Sequence, residues 1–131
     1  TGTDDPHHDL DDYDSVAGAP NPDADLAIGV THAPYRRVLD RFEADGYALT
    51  LAGHTHGGQI CLPGERAIVT NADIDRERAS GLHRYGDMWL EVSNGLGTSK
   101  FAPVRIFCRP SAALLTLTAR EERHEERSAR N

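Results

Sequence analysis

Leu26-Ala27-Ile28-Gly29-Val30-Thr31-His32-Ala33-Pro34 and, further on, Tyr47-Ala48-Leu49-Thr50-Leu51-Ala52-Gly53-His54-Thr55-His56-Gly57-Gly58-Gln59-Ile60 bracket one β-α-β unit. The first apolar run, residues 26–30, has the length of a short buried strand. Ala33 is kept out of the helical region by the proline after it, and Pro34 suits a first helical turn. Tyr35, Val38, Leu39 and Phe42 then recur at i, i+3, i+4 and i+7, the apolar stripe of an amphipathic helix, and Gly46 stands where a C-terminal cap belongs. Residues 47–52 form the second strand. With the two strands parallel, a right-handed crossover brings both carboxyl ends to one sheet edge, where α/β proteins usually bind ligands.

That edge is furnished with histidine. His32 falls just past the first strand, and His54 with His56 just past the second. In an extended segment residues i and i+2 point the same way, so the two later imidazoles face one small volume. Neutral imidazole nitrogen suits Zn, Mn or Fe, and the flanking Gly53, Gly57 and Gly58 let the backbone approach a metal or phosphate with no Cβ in the way. Three imidazoles from two loops are therefore expected in one metal site, their ring nitrogens roughly 3–7 Å apart.

Thr31-His32-Ala33-Pro34 taken with Ala52-Gly53-His54-Thr55-His56-Gly57-Gly58-Gln59-Ile60 resembles the last two metal-binding motifs of the calcineurin-like metallophosphoesterases. Further matches stand at Ser93-Asn94-Gly95-Leu96-Gly97-Thr98, at Pro103-Val104-Arg105-Ile106 and at Arg109-Pro110, so the resemblance runs from about Gly2 to Leu117. It implies a site for two divalent ions, Mn, Fe or Zn, in which His32 and His54 bind one and His56 the other. It also implies hydrolysis of phosphomonoesters or phosphodiesters by in-line attack of a metal-activated hydroxide. In such a site Gln59 either orients a ligating histidine or makes an ordinary strand hydrogen bond. Asn94 stands where many relatives carry arginine or alanine, which favours a tight glycine turn beside the site over a phosphate contact.

The family's earlier ligands are missing. Its first half carries an Asp-x-His after a strand, a Gly-Asp-x-x-Asp whose first aspartate bridges the metals, and a Gly-Asn-His whose histidine assists the leaving group. Asp5-Pro6-His7 matches the first as a string, but no apolar strand precedes it, and it reads as part of an acidic surface connector over residues 1–25 in which His7 and His8 are solvated. In Gly86-Asp87-Met88-Trp89-Leu90 a leucine replaces the second aspartate, and Gly-Asn-His is absent. Three neutral imidazoles do not balance two divalent cations, so carboxylates must come from elsewhere. The expected architecture is α/β: the C-terminal half of a metallophosphoesterase α/β/β/α sandwich, one β-α-β unit followed by mostly antiparallel strands. Residues 1–118 would be that half-domain, completed by a missing N-terminal half or by another chain. Residues 119–131 would be a charged tail, disordered or a frayed helix, since its like charges repeat at i, i+4.

The later chain reads as strand-rich. Short strands at residues 59–62 and 67–70 surround a Pro63-Gly64 turn, and residues 71–80 are a loop or short helix. Residues 82–85 and 88–92 form a hairpin across Gly86-Asp87, and residues 104–108 and 114–117 a further pair. His83, on an alternating strand, is expected to be a surface or structural residue and not a ligand. Cys61 and Cys108 each lie in an apolar run and form no Cys-x-x-Cys, so buried free thiols are favoured over a disulfide. A half-sandwich would leave one side of its sheet without the strands and helices that cover it, exposing apolar surface around Leu26, Ile28, Leu49 and Leu51.

The formal charge of −7 over 131 residues argues against a nucleic-acid surface or an anionic membrane partner, while metal ions reverse the local sign for a phosphate ester. No apolar stretch reaches transmembrane length, which leaves a cytoplasmic or peripheral-membrane location open. Two other H-x-H hydrolase types fit poorly: the metallo-β-lactamase pattern needs an aspartate where Gly58 stands, and the amidohydrolase barrel needs about twice this length. The remaining alternative is a catalytically silent half-domain whose histidines hold a structural ion.

Overall fold

A computed structural model describes residues 1–99 and 102–119. The expected tail lies, from residue 120 on, outside the described residues, and His124 with it. Strand β1 (Ile28–Val30) runs parallel to β2 (Leu49–Ala52), pairing Ile28 with Leu49 and Val30 with Leu51. Helix α2 (Arg36–Ala44) crosses between them, after a single-turn helix α1 (Tyr13–Val16). The β-α-β unit is as the periodicity predicts.

Val38, Leu39 and Phe42 of α2 are buried, each gaining about 1.5–3 kcal/mol from leaving water. Its first turn has no cap of its own at Tyr35; Asp73 from a distant loop accepts from the Arg36 amide at 2.8 Å instead. Its last turn closes with Tyr47 N–H donating to Phe42 C=O and Gly46 N–H to Glu43 C=O, a pairing that needs the positive φ of 89° at Gly46.

Strands β5 (Gly81–Tyr85) and β6 (Met88–Val92) form the predicted hairpin, and β6 lies parallel to β2. The sheet order is β1-β2-β6-β5. Strands β3 (Cys61–Leu62) and β4 (Arg66–Ala67) make a separate antiparallel pair around Pro63-Gly64. Residues 71–80 hold one 3-10 turn, Arg76–Arg78. The architecture is thus mixed α/β, with parallel strands at the centre and antiparallel pairs after them.

Two departures from expectation matter. Residues 1–3 are not a surface connector: Gly2 pairs in parallel with Val30, and Thr3 N–H donates to the Val30 carbonyl at 2.9 Å, adding a short segment along β1. Residues 104–108 and 114–117 do not pair as strands. Pro110 removes a donor between them, Ile106 spends its backbone on Gln59 and Cys61, and Leu114 is 94% exposed.

Register sorts the sheet into two faces. Thr50, Ala52, Leu90 and Val92 face α2 and join its core, with Tyr13, Tyr47, Met88 and Ile74 around them. Ile28, Leu49 and Trp89 share the opposite face with Val30, Leu51, Glu91 and Leu82. There Val30 is 45%, Leu82 48% and Trp89 43% exposed, while Leu49 in the central strand is buried. Cys61 and Cys108 are free, buried thiols in a third cluster with Ala67 and Ala79. Among the described residues, no helix is long and apolar enough to cross a membrane.

Candidate metal centre

Adjacent parallel strands deliver His32 and His54 to the same edge, and the Gly53 amide donates to the His32 carbonyl at 3.0 Å, tying one loop to the other. Nε2 of His32 stands 3.1 Å from Nδ1 of His54. The other nitrogen of His54 lies 3.2 Å from the Asn71 carbonyl. A carbonyl only accepts, so Nε2 of His54 carries the proton and Nδ1 presents its lone pair toward His32. Burial first, then the neighbouring His7 and His32, hold the pKa of His54 below the usual histidine range. The shift favours the neutral ring, the form that ligates metal.

Asp5 completes this group. One ligand atom each from Asp5, His32 and His54 lie within 4.8 Å of one another, the only such trio among the described residues. Asp5 Oδ2 is 3.9 Å from His32 Nε2, while Oδ1 accepts from the His7 amide at 2.8 Å and caps the 3-10 turn Pro6–His8. The donor set, two imidazoles and a carboxylate, fits a borderline divalent ion such as Zn, Mn or Fe. The segment that pairs with β1 is what carries Asp5 here. Reading that segment as a connector hid it, because three polar and glycine residues give no apolar strand signal.

His7 is drawn in as well. Its ring centroid lies 4.5 Å from that of His54, and its Nδ1 is 2.9 Å from the Tyr35 hydroxyl. His8 is solvated as expected, its side chain 70% exposed. His83 is structural, with Nε2 bonded to the Ser80 carbonyl at 2.6 Å.

His56 is set apart from the trio but lines, with His7 and His54, one cavity of about 700 Å³. The extended reading of the His-x-His segment does not hold. His54 has φ 67°, His56 φ 50°, Gly57 φ 66°, Gly58 φ 91° and Gln59 φ 54°, with Thr55 between the histidines in the right-handed region, so the chain turns sharply and does not run extended. Non-glycine residues at positive φ cluster at functional sites. Gly57 is required by contact too: a Cβ there would stand 2.5 Å from Asn94 Oδ1 and 2.7 Å from Cys108 Sγ.

The pKa of His56 is also lowered, by burial first and by the Arg105 charge second, with a backbone hydrogen bond at Asn94 acting the other way. Gln59 does not reach a histidine. Its buried amide accepts from the Ser99 N–H at 2.8 Å and donates to the Ala102 carbonyl. Asn94 is buried, donates from Nδ2 to the Arg109 carbonyl at 3.3 Å, and leaves Oδ1 without a partner against Gly57. Its place is a turn beside the site.

No family model and no solved structure matches the chain. Three curated relatives do. The chain is 36% identical over 69 residues to the uncharacterized metallophosphoesterase YkuE of Bacillus subtilis (strain 168), covering 53% of this chain and 23% of that protein. It is 31% identical over 90 residues to the phosphodiesterase YaeI of Escherichia coli (strain K12), covering 67% and 31%. It is 31% identical over 128 residues to the uncharacterized protein YpbG of Bacillus subtilis (strain 168), covering 92% and 42%. The chain therefore spans less than half the length of each relative.

Proposed function

We propose that this chain is the C-terminal part of a metallophosphoesterase, a metal-dependent hydrolase of phosphate mono- or diesters. The convergence of Asp5, His32 and His54 at the carboxyl edge of a parallel sheet carries the reading. Similarity to proteins named metallophosphoesterase and phosphodiesterase supports it. In the proposed site Asp5, His32 and His54 hold one divalent ion, and His56, across the same cavity, serves a second whose carboxylates belong to the rest of the protein. When bound, such ions supply activation of water and neutralisation of charge on the phosphoryl oxygens.

The chain's own residues do the remaining work. Burial favours the neutral His54 ring, while the Asn71 carbonyl holds its remaining proton on Nε2. Tyr35 and His7 form a hydrogen-bonded rim over it, able to donate to a phosphoryl oxygen. The open sheet face bearing Val30, Leu82 and Trp89 is, in the same proposal, covered by the remainder of the sandwich.

The test compares the full-length protein with this chain on a generic aryl phosphodiester in Mn²⁺. Metal-dependent hydrolysis by the full-length protein, lost on chelation, is expected. Absence of any metal-dependent hydrolysis, with metal still bound, would leave a structural half-domain as the better account.

A further inference from the structure

Arg105 spends its guanidinium on main-chain carbonyls from two loops at the carboxyl edge of the sheet. Nη1 donates to the His56 carbonyl at 3.0 Å. Nη2 donates to the Asn94 carbonyl at 2.8 Å and to that of Gly95 at 3.2 Å, and Nε donates to Gly97 at 3.0 Å. Nη2 also lies 3.4 Å from Nδ1 of His56 itself. A planar fork of five donors can gather carbonyls that converge from several directions, which a lysine ammonium on a flexible stem cannot hold in one geometry. A surface arginine kept for solubility would leave that fork in water.

The loops so joined follow β2 and β6, the two central strands. One carries His56, and the other is Ser93-Asn94-Gly95-Leu96-Gly97, which places no ligand of its own. Holding His56 in a left-handed backbone conformation is costly for a residue with a Cβ, and it persists only where surrounding contacts impose it. The bond from Arg105 to the His56 carbonyl is such a contact, and the Cys108 thiol donates to the same oxygen at 3.0 Å.

We propose that Arg105 is the positioning residue of His56: by binding the His56 carbonyl together with those of Asn94 and Gly95, it fastens the His56 backbone to the loop after β6 and so fixes where the imidazole stands. For its consequence in catalysis this rests on the metal reading above. The geometry that supports it does not.

Mn²⁺ titration of the full-length protein by calorimetry tests it. Partners that orient a ligating histidine typically cost about 10–100-fold in metal affinity when removed, and Arg105→Ala is expected to fall in that range. Arg105→Lys, which keeps charge and stem, should lose as much. Added to His56→Ala, Arg105→Ala should cost nothing further, because it acts by placing that residue. Millimolar guanidinium should partly restore Arg105→Ala but not the double variant. Additive losses in the double variant, or wild-type affinity in folded Arg105→Lys, would overturn the proposal.

A second readout is independent of metal. The ring-nitrogen chemical shifts of His56 in the metal-free protein should move in Arg105→Lys, and unmoved shifts would overturn the positioning role. Full Mn²⁺ binding in His32→Ala and His54→Ala would count against the metal reading alone and leave that test standing.

Discussion

Nε2 of His32 and Nδ1 of His54 stand 3.1 Å apart at the ends of neighbouring parallel strands. Two nitrogens bound to one tetrahedral ion at 2.0–2.1 Å are separated by about 3.3 Å, so the pair is already close to the spacing of a shared ligand set. The His54 ring is anchored at Asn71, and the His32 backbone is tied to the neighbouring loop at Gly53.

That spacing predicts coupled losses. In the full-length protein, His32→Ala and His54→Ala should each lower bound metal and cut aryl phosphodiester turnover by at least about 100-fold, and the double variant should be little worse than either single one. His83→Ala should change turnover little, because its ring is committed to Ser80. Elemental analysis alongside rate measurement decides; full metal content in both single variants would remove the shared-ion reading.

Asp5→Asn separates the carboxylate's two roles. Asparagine keeps an acceptor for the His7 amide, so the turn Pro6–His8 should survive. The negative charge beside His32 is lost, and metal affinity should fall about 10–100-fold. Unchanged affinity would reduce Asp5 to a cap.

Acid should weaken the site and the fold together. The pKa values of His54 and His56 lie below the ordinary 6.5, so the unfolded chain takes up protons there that the folded one resists. Their contribution to stability is complete above pH 6.5 and is lost as pH falls through the folded-state values. Glu91 works with the opposite sign, its buried carboxyl raised above 4.5. Metal-free denaturant midpoints measured from pH 8 to 5 should fall on acidification. His54→Gln and His56→Gln should flatten that slope, and an unchanged slope in both would show that these rings do not carry it.

Trp89 reports on the open face. It is the chain's single tryptophan, 43% exposed, on a row with Leu49 and Ile28. Its emission should sit further to the blue in the full-length protein than in this chain, and an apolar dye should bind this chain more strongly. Identical spectra in the two would argue that nothing further covers this face.

The β-α-β unit was legible because its periodicities are strong: four apolar residues at helical spacing and two apolar runs of strand length fixed α2, β1 and β2. The β5–β6 hairpin was legible despite a weak Gly-Asp turn because alternating residues flank it. Three things were not. Asp5 reaches the site through a pairing of Thr1-Gly2-Thr3 with β1 that is made entirely of backbone hydrogen bonds, and backbone bonds leave no mark on composition. The positive φ at His54 and at residues 56–59, interrupted by a right-handed Thr55, runs against ordinary glutamine preference and is held by tertiary contacts such as Arg105 with the His56 carbonyl. The strand pair expected at residues 104–117 failed because Ile106 found its partners at Gln59 and Cys61, a contact between distant segments that no local pattern encodes.

Gly57 and Gly53 flank the same histidines, yet their substitutions should differ sharply. At Gly53 an added Cβ meets only the His32 carbonyl oxygen, at an ordinary 3.7 Å. At Gly57 it would stand 2.5 Å from Asn94 Oδ1 and 2.7 Å from Cys108 Sγ, both buried, at φ 66°. A left-handed conformation costs an alanine about 1–2 kcal/mol, and forcing extra volume into a packed region typically costs a further 1–3 kcal/mol. Gly57→Ala should therefore lower the denaturant midpoint clearly and displace the Asn94 turn, which shares Arg105 with His56, so that Mn²⁺ binding weakens along with stability. Gly53→Ala should leave both within experimental error. Equal stability of the two variants would mean that the loop relaxes around Gly57, and that the close packing of Asn94 and Cys108 against it does not fix the position of His56.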